Sequence, residues 1–160
     1  MMAQSKRVVL DTSVLVGLID ARDVWHHGAV ALRDALKSAR ADVVYFDCVV
    51  NETVSVLARR ARERKVPSEF ATLLDQLVSH VPESSIVWVS SRIRQFYPKI
   101  VALVRDSSGT LNFHDALIAL GSRELGIGLI ATFDSDFDRI EWLKRLAFPN
   151  DVEQALGFIG

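Results

Sequence analysis

The sequence predicts an α/β fold, in which a mostly parallel central sheet of four or five strands is flanked by helices. Short apolar runs rich in β-branched residues alternate with longer segments whose apolar residues recur at helical spacing. The short runs are continuous rather than alternating, which is typical of strands that are buried on both faces of a parallel sheet. Alternation of strands and helices along 160 residues favours right-handed crossovers within one sheet.

Each element follows from a local pattern. The predicted strands are residues 8–10, 43–46, 86–89 and 129–133. Helical spacing covers residues 27–40, 49–60, 70–77, 93–104 and 112–126. Clusters of Pro, Gly, Ser or Asp predict loops at residues 65–67, 81–85, 106–109 and 148–151, and Gly121, Gly126 and Gly128 predict a helix end and a turn. No loop is long enough to be a linker, so we expect a single domain over residues 1–160, with its core at about 8–146.

Composition excludes several classes of protein. Nineteen Lys and Arg residues against twenty Asp and Glu give a net charge of −1, so any nucleic acid would have to be bound by a local patch. The lone cysteine, Cys48, excludes an internal disulfide and a cysteine zinc site, and predicts a reducing, cytoplasmic location. The first apolar run has three residues before Asp11, too few for a secretory signal, and no window resembles a membrane span.

Acidic residues stand where predicted strands pass into helices. Asp11 follows the first strand, Glu52 lies in the helix after the second, Asp115 opens the helix that begins near residue 112, and Asp134 follows the last strand. In open α/β sheets, ligands bind beyond the carboxyl ends of the strands. The sequence therefore predicts that acids from four distant segments converge at one edge of the sheet.

Each acid taken alone has a simpler interpretation. Asp, Ser, Thr and Asn cap helix N-termini, and Asn112 with Asp115 has the spacing of a capping box. Capping gives no reason for four acids to gather at one edge, whereas a hard cation such as Mg²⁺ requires oxygen ligands. Crowded carboxylates without a cation are expected to have one or more raised pKa values.

Four motifs together resemble the PIN-domain family. They are VVLDTSVL at residues 8–15, Glu52 ahead of Leu57, HDALIA at 114–119 and TFDSDF at 132–137. The chain most resembles the VapC-type toxin ribonucleases of bacterial toxin–antitoxin pairs, in the family's order from residue 8 to about 146. By this resemblance the chain is identified as a member of that family.

The resemblance implies a three-layer PIN-like fold and a metal-dependent endoribonuclease with Mg²⁺ or Mn²⁺ as cofactor. The implied acidic quartet is Asp11, Glu52, Asp115 and Asp134, with Asp11 and Asp115 as principal ligands, and Asp136 as the alternative to Asp134. Thr132 and Ser13 are implied to support the site. Implied partners are RNA, a second copy of the chain in a homodimer and a small antitoxin protein. A PIN nuclease of RNA maturation or decay, and a non-catalytic scaffold or RNA-binding module, remain alternatives.

Cations and aromatic residues could contact RNA. Arg59 lies two helical turns from Glu52 and hence on the same face, where it could hold a phosphate, although cations near a helix C-terminus also complement the helix dipole. Core or interface packing is the favoured prediction for Trp25, Trp88 and Trp142, with base stacking as the alternative. We expect His114 to be an ordinary first-turn residue.

Two other enzyme classes are disfavoured. Asp11-Thr12-Ser13 superficially resembles the first motif of haloacid-dehalogenase-like phosphatases, but Ser13 stands where that motif needs a second Asp. No glycine-rich phosphate-binding motif follows a predicted strand, which argues against a nucleotide or dinucleotide site.

Overall fold

The computed structural model describes residues 6–157 and contains one five-stranded parallel sheet with the order β3-β2-β1-β4-β5. The strands are β1 (Arg7–Leu10), β2 (Asp42–Phe46), β3 (Ile86–Val87), β4 (Leu129–Ala131) and β5 (Lys144–Leu146). The predicted α/β class with a parallel sheet is confirmed. The domain prediction also includes residues 1–5 and 158–160, which lie outside the described residues.

Seven α-helices flank the sheet in the described part of the chain. They are α1 (Thr12–Ile19), α2 (His26–Ser38), α3 (Asp47–Glu63), α4 (Glu69–His80), α5 (Ile93–Asp106), α6 (Phe113–Glu124) and α7 (Pro149–Leu156). Helix α1 packs on α2, α3 and α4, α3 also packs on α4, α7 contacts α2, and α5 packs on α6. Within residues 6–157, no helix is long and apolar enough to cross a membrane.

The central strand shows why the apolar runs are continuous. Val8, Val9 and Leu10 are all buried although successive side chains of a strand point to opposite faces. Both faces of β1 are therefore covered, as expected for a parallel sheet between helices.

Several elements differ from the sequence-based predictions. Strand β5 was not predicted, because its Lys144 and Arg145 lack the apolar character of the other strands; it is an edge strand, where such residues are common. The predicted loop at residues 148–151 is wrong beyond Phe148, because Pro149 occupies the first turn of α7, a position that tolerates proline. The predicted strand ends at residues 89 and 133 are each two residues too late.

Gly121 does not end a helix as predicted but lies inside α6. A Cβ atom built there would lie 3.1 Å from Val89 Cγ1 and 3.3 Å from Phe46 Cε2. Gly121 therefore allows α6 to approach the core closely. Gly126, with a φ of 67°, does follow the helix end, where the left-handed conformation favours glycine.

Strand register places the ends of β1 and β4 side by side. Leu10 pairs with Ala131, and the amide of Asp11 donates to the carbonyl of Ala131 at 3.0 Å. Asp11 and Thr132, the next residues along each strand, therefore leave the sheet at the same level. This register places both residues at the carboxyl ends of the central strands.

Candidate active site

A cavity of about 280 Å³ opens at the carboxyl ends of the strands. It is lined by Asp11, Thr12, Ser13, Val16, Asp23, Trp25, Glu52, Val56, Arg59, Arg60, Asn112, Asp115 and Asp134. All four acids of the predicted quartet are in this lining. A wider cavity of about 790 Å³ between α1 and α4 has one carboxylate, Asp75, in its lining and so offers no comparable cluster.

Asp11 is fixed at the base of the cavity by two hydroxyl groups. Its Oδ2 accepts hydrogen bonds from Thr132 Oγ1 at 2.6 Å and from Ser13 Oγ at 3.3 Å. Although it occupies the N-cap position of α1, its side chain makes no capping bond. Burial raises the pKa of Asp11, and the hydrogen bond from Thr132 only partly opposes that rise.

Thr132 and Ser13 join the ends of β1 and β4. Thr132 is fully buried, and its Oγ1 also accepts the amide of Asp134 at 3.0 Å. Ser13 Oγ lies 3.3 Å from Thr132 Oγ1 and accepts the amide of Phe133 at 3.1 Å. The hydroxyl of Thr132 therefore sets the spacing between Asp11 and the Asp134 backbone.

Asp115 is both a helix cap and part of the cavity. Its amide donates to Asn112 Oδ1 at 2.8 Å, and its Oδ2 accepts the Asn112 amide at 3.0 Å, so the capping box is present. Burial raises the pKa of Asp115 to about 6, against the effect of the Asn112 amide, and the charges of Asp11 and Asp134 add to the rise. The capping interpretation and the cavity position thus hold for the same residue.

Asp134 and Asp136 occupy different positions. Asp134 follows β4 and lines the cavity, and its Oδ1 accepts the Asp136 amide at 2.9 Å. Asp136 is half-buried and is not among the described residues that line the cavity. Asp138 makes a two-bond ion pair with Arg145 at 2.9 and 3.0 Å, which explains its presence without a role in the cavity.

Glu52 is held from two sides. Thr12 Oγ1 donates to its Oε2 at 2.9 Å, and His114 Nδ1 lies 2.9 Å from the same oxygen. The hydrogen bond from His114 is the main cause of a lowered pKa for Glu52. The carboxylate is therefore ionised at neutral pH.

His114 has a larger role than the sequence predicted. Its Nε2 lies 3.0 Å from the Cys48 carbonyl, so both ring nitrogens face acceptors on α3. Burial alone would lower the pKa of His114, but the bonds to Cys48 and Glu52 raise it to about 11. The charged imidazole links the first turn of α6 to α3. The pattern of a histidine before an acid did not reveal this contact, because the partner is 62 residues away in sequence.

The remaining charged side chains near the strand ends differ in their partners. Arg59 is exposed and lines the cavity with Glu52, as the shared helix face predicts, and its Nε lies 3.8 Å from Oε1 of the exposed Glu63. Arg60 in α3 pairs with Asp20 and Asp23, and Arg64 directly after α3 pairs with Asp20, so these two cations are held in buried or half-buried ion pairs. Asp47, which also follows a strand, instead binds the amides of residues 89 and 90 beyond β3.

The three tryptophans differ. Trp142 is half-buried, and its indole N–H donates to the Ala119 carbonyl at 2.9 Å, in line with the packing prediction. Trp88 is 61% exposed, so it does not pack in the core, and interface packing stays a prediction for it. Trp25 is 45% exposed and lines the acidic cavity, as does Asp23. The sequence analysis did not place either residue in the cavity.

The donor set suits a hard cation that keeps part of its water. Within residues 6–157, no three His, Cys, Asp or Glu side chains are close enough together to hold one ion directly. In the same range, the second carboxylate oxygens of Glu52, Asp115 and Asp134 accept no hydrogen bond, so their lone pairs remain available. Mg²⁺ is commonly held by one or two carboxylates and several waters. The residues therefore fit such an ion.

Comparison with known proteins agrees with this architecture. The fold is similar to VapC20 from Mycobacterium tuberculosis, a sarcin–ricin-loop-cleaving toxin, with a TM-score of 0.63, 22% identity, and coverage of 82% of this chain and 92% of that one. It is also similar to a chain of VapBC2 from Rickettsia felis, whose structure contains a promoter DNA fragment, with a TM-score of 0.63, 16% identity, and coverage of 89% and 98%. No curated protein matches the chain. The model of the PIN domain matches residues 8–143, and the chain therefore belongs to the PIN-domain family.

Proposed function

We propose that this PIN domain is a metal-dependent endoribonuclease that hydrolyses RNA phosphodiester bonds. The observation that carries the proposal is the convergence of Asp11, Glu52, Asp115 and Asp134, from four separate segments, in one cavity. Carboxylates that share a cavity repel one another, and a divalent cation relieves that cost. The VapC20 neighbour, described as a toxin that cleaves the sarcin–ricin loop, supports RNA as the substrate class.

The residues divide into ligands and supports. Asp11 and Asp115 would hold Mg²⁺ or Mn²⁺, with Asp134 and Glu52 ligating through water in the arrangement that the structure has. When bound, the ion supplies an activated water and neutralises charge that develops on the phosphate. Thr132 and Ser13 hold Asp11 at a fixed place, and His114 keeps Glu52 ionised and oriented.

The proposed reaction is a hydrolysis. Water adds to phosphorus, the bond from phosphorus to the 3′ oxygen breaks, and that oxygen takes up a proton. The products are a 5′-phosphate and a 3′-hydroxyl. Arg59 is the exposed cation of the cavity, and it would contact a phosphate of the bound strand.

The test is cleavage of a pool of structured RNAs by the wild type and by Asp11→Asn, in Mg²⁺, in Mn²⁺ and in EDTA. The protein is first separated from any copurifying small partner. We expect cleavage with either metal, none in EDTA, and a loss of at least 100-fold in the variant, because removing one such ligand removes most of the metal-dependent rate. Equal cleavage by wild type and variant, or by wild type in EDTA, would refute the assignment.

We further propose that the chain is the toxin of a toxin–antitoxin pair, acts as a homodimer and is inhibited by a small antitoxin protein. The fold shared with VapC20 and VapBC2 supports this role. Expression of the wild type in a bacterial host should stop growth, whereas Asp11→Asn, produced at the same level, should not. Unimpaired growth with an active nuclease would favour a role in RNA maturation or decay, and RNA binding without cleavage would favour a scaffold.

A further inference from the structure

We propose that Trp25 is a substrate-binding residue whose indole stacks on an unpaired base of the RNA in the acidic cavity. This inference rests on the proposed nuclease function and narrows its substrate. The target would be single-stranded, or would present a base outside a helix, at the nucleotide next to the cleaved bond. Bases within a duplex offer no free face to a side chain.

Trp25 is partly exposed to solvent at the cavity. The residue is 45% exposed while it lines the cavity that holds the four acids. In the part of the chain that the structure describes, its indole N–H donates no hydrogen bond, whereas that of Trp142 is bonded to Ala119. Large exposed aromatic residues cost free energy in water, and those that have a packing role cover their apolar faces. An open indole at the cavity is better explained by a ligand.

Trp25 is held in place by its neighbours. One face of its indole stacks on Phe133, with ring centroids 4.6 Å apart and planes inclined by 11°. Its amide donates to Asp23 Oδ1 at 2.7 Å, and its carbonyl accepts the Ala29 amide at 2.7 Å. A ring fixed on one face and at both ends of its backbone loses little entropy when a base stacks on it.

Phe133 connects the indole of Trp25 to the segments that carry the acids. Phe133 lies between Thr132 and Asp134 in sequence, and its amide is bonded to Ser13 Oγ. The stacked pair is thus anchored to the two segments that carry Asp11 and Asp134. A base on Trp25 would be positioned relative to the ion and the scissile phosphate.

The chemistry of the lining favours a nucleotide over an aromatic side chain of another protein. Apart from Trp25, the apolar members of the lining are Val16 and Val56, and the rest are polar or charged. Arg59, exposed in the same lining, provides a cation for the phosphate next to a stacked base. A single flat apolar surface among charged groups matches a base with its backbone, and base-aromatic stacking tolerates any base.

The experiment measures RNA binding in the Asp11→Asn background, so that the strand is not cut. The probe is a fluorescein-labelled pool of 12-nucleotide RNAs of random sequence in Mn²⁺, alone or annealed to complementary strands, followed by anisotropy. We expect Trp25→Ala to weaken single-strand binding by about 5- to 100-fold. Trp25→Phe should bind within about threefold of the parent, and the duplex should be unaffected by either change. Trp88→Ala, which removes an exposed tryptophan outside the cavity, is the matched control and should bind normally.

A second measurement does not depend on how well Trp25→Ala folds. The parent protein carries Trp88→Phe and Asp11→Asn. Single-stranded RNA should quench its tryptophan fluorescence, whereas duplex RNA should not. Adding Trp25→Phe to this parent should abolish the quenching. Normal binding by Trp25→Ala without quenching of the parent would overturn the inference. Equal losses of affinity for single-stranded and duplex RNA in Trp25→Ala would also overturn it. The same holds for a Trp25→Ala defect that is confined to the binding of a protein partner.

The two proposals fail in distinguishable ways. If the wild type cuts RNA and Trp25→Ala cuts with the same kcat/KM, the stacking inference is wrong and the nuclease remains. If the wild type cuts no RNA with any metal but binds single strands through Trp25, the nuclease is wrong and the stacking inference remains.

Discussion

At the scale of single residues, the buried hydroxyl of Thr132 is the most informative support of the cavity. It donates to Asp11 and accepts from the Asp134 amide, so one oxygen relates two acids on neighbouring strands. A hydroxyl is required there, because a methyl group of the same size would leave a buried carboxylate oxygen with one fewer donor.

Thr132→Val should therefore lower RNA cleavage by about 10- to 100-fold, the usual effect of losing a group that orients a metal ligand. Thr132→Ser keeps the hydroxyl and should retain cleavage within about threefold. The measurement is kcat/KM on the RNA that the wild type cuts, with circular dichroism to show that both variants fold. Equal activity in the valine and serine variants would contradict the role of the hydroxyl.

At the same scale, the negative charge that Asp115 would offer to a cation lowers the stability of the metal-free fold. Its pKa is raised from 3.8 to about 6, so the folded state disfavours the ionised form. The free-energy cost of ionising Asp115 in the folded state is absent below pH 3.8, grows as the pH rises to about 6 and is fully present above it. The difference corresponds to at most about 3 kcal/mol at neutral pH.

Asp115→Asn should therefore raise the free energy of unfolding of the metal-free protein at pH 7, and the gain should vanish below about pH 4. The asparagine keeps an oxygen that accepts the Asn112 amide, so the cap survives. Urea denaturation in EDTA at several pH values measures this, with the exposed Asp75→Asn as the control. A variant that is less stable than the wild type at pH 7 would contradict the electrostatic account.

At the scale of elements, His114 connects two helices. Its ring contacts the Cys48 carbonyl in the first turn of α3 and Glu52 one turn later. Two charge-assisted bonds across a half-buried contact are among the stronger polar interactions in a protein.

His114→Ala should lower the free energy of unfolding by about 1–3 kcal/mol, because it leaves the Cys48 carbonyl and Glu52 without this donor. His27→Ala, at an exposed position of α2, should change stability by less than about 0.5 kcal/mol and is the matched control. Urea denaturation at pH 7 compares the two. Equal stability of both variants would refute the connection between α3 and α6.

A partly buried ion-pair cluster joins the end of α1 to α3. Asp20 follows α1 and is 1% exposed; it pairs with Arg60 and Arg64 and accepts the Arg22 amide at 3.1 Å. Burial would raise the pKa of Asp20, but these bonds, above all that from Arg64, lower it. A lowered pKa stabilises the fold above the pKa of the unfolded carboxyl, about 4, and the contribution is lost as the pH falls through the folded value.

Asp20→Asn should thus lower the free energy of unfolding by about 1–3 kcal/mol at pH 7, and the gap to the wild type should narrow as the pH falls below about 4. Asp34→Asn breaks an exposed pair with Arg33 and should have little effect at any pH. Thermal unfolding between pH 3 and 7 gives both comparisons. A gap that does not change with pH would show that the charge of Asp20 is not its cause.

At the scale of the whole molecule, the sequence predicts most of what periodicity and strand ends determine. Continuous apolar runs locate the buried strands, and acids after those runs lie together because parallel strands end at the same edge. Strand β5 is too polar and too short to show this signal. Helix α7 was missed because it begins with a proline, a residue that is also common in loops. The contact of His114 with Glu52 and the stacking of Trp25 on Phe133 depend on tertiary packing, which local patterns do not encode.

The whole-molecule account depends on the acidic cavity being a cation site, and calorimetric titration of Mn²⁺ into the metal-free protein at pH 7 tests this most directly. The titration needs no knowledge of the RNA target. We expect saturable binding to the wild type and at least tenfold weaker binding to Asp115→Asn, while Asp75→Asn binds like the wild type. Absence of Mn²⁺ binding to the wild type, or equal binding to wild type and Asp115→Asn, would contradict the account.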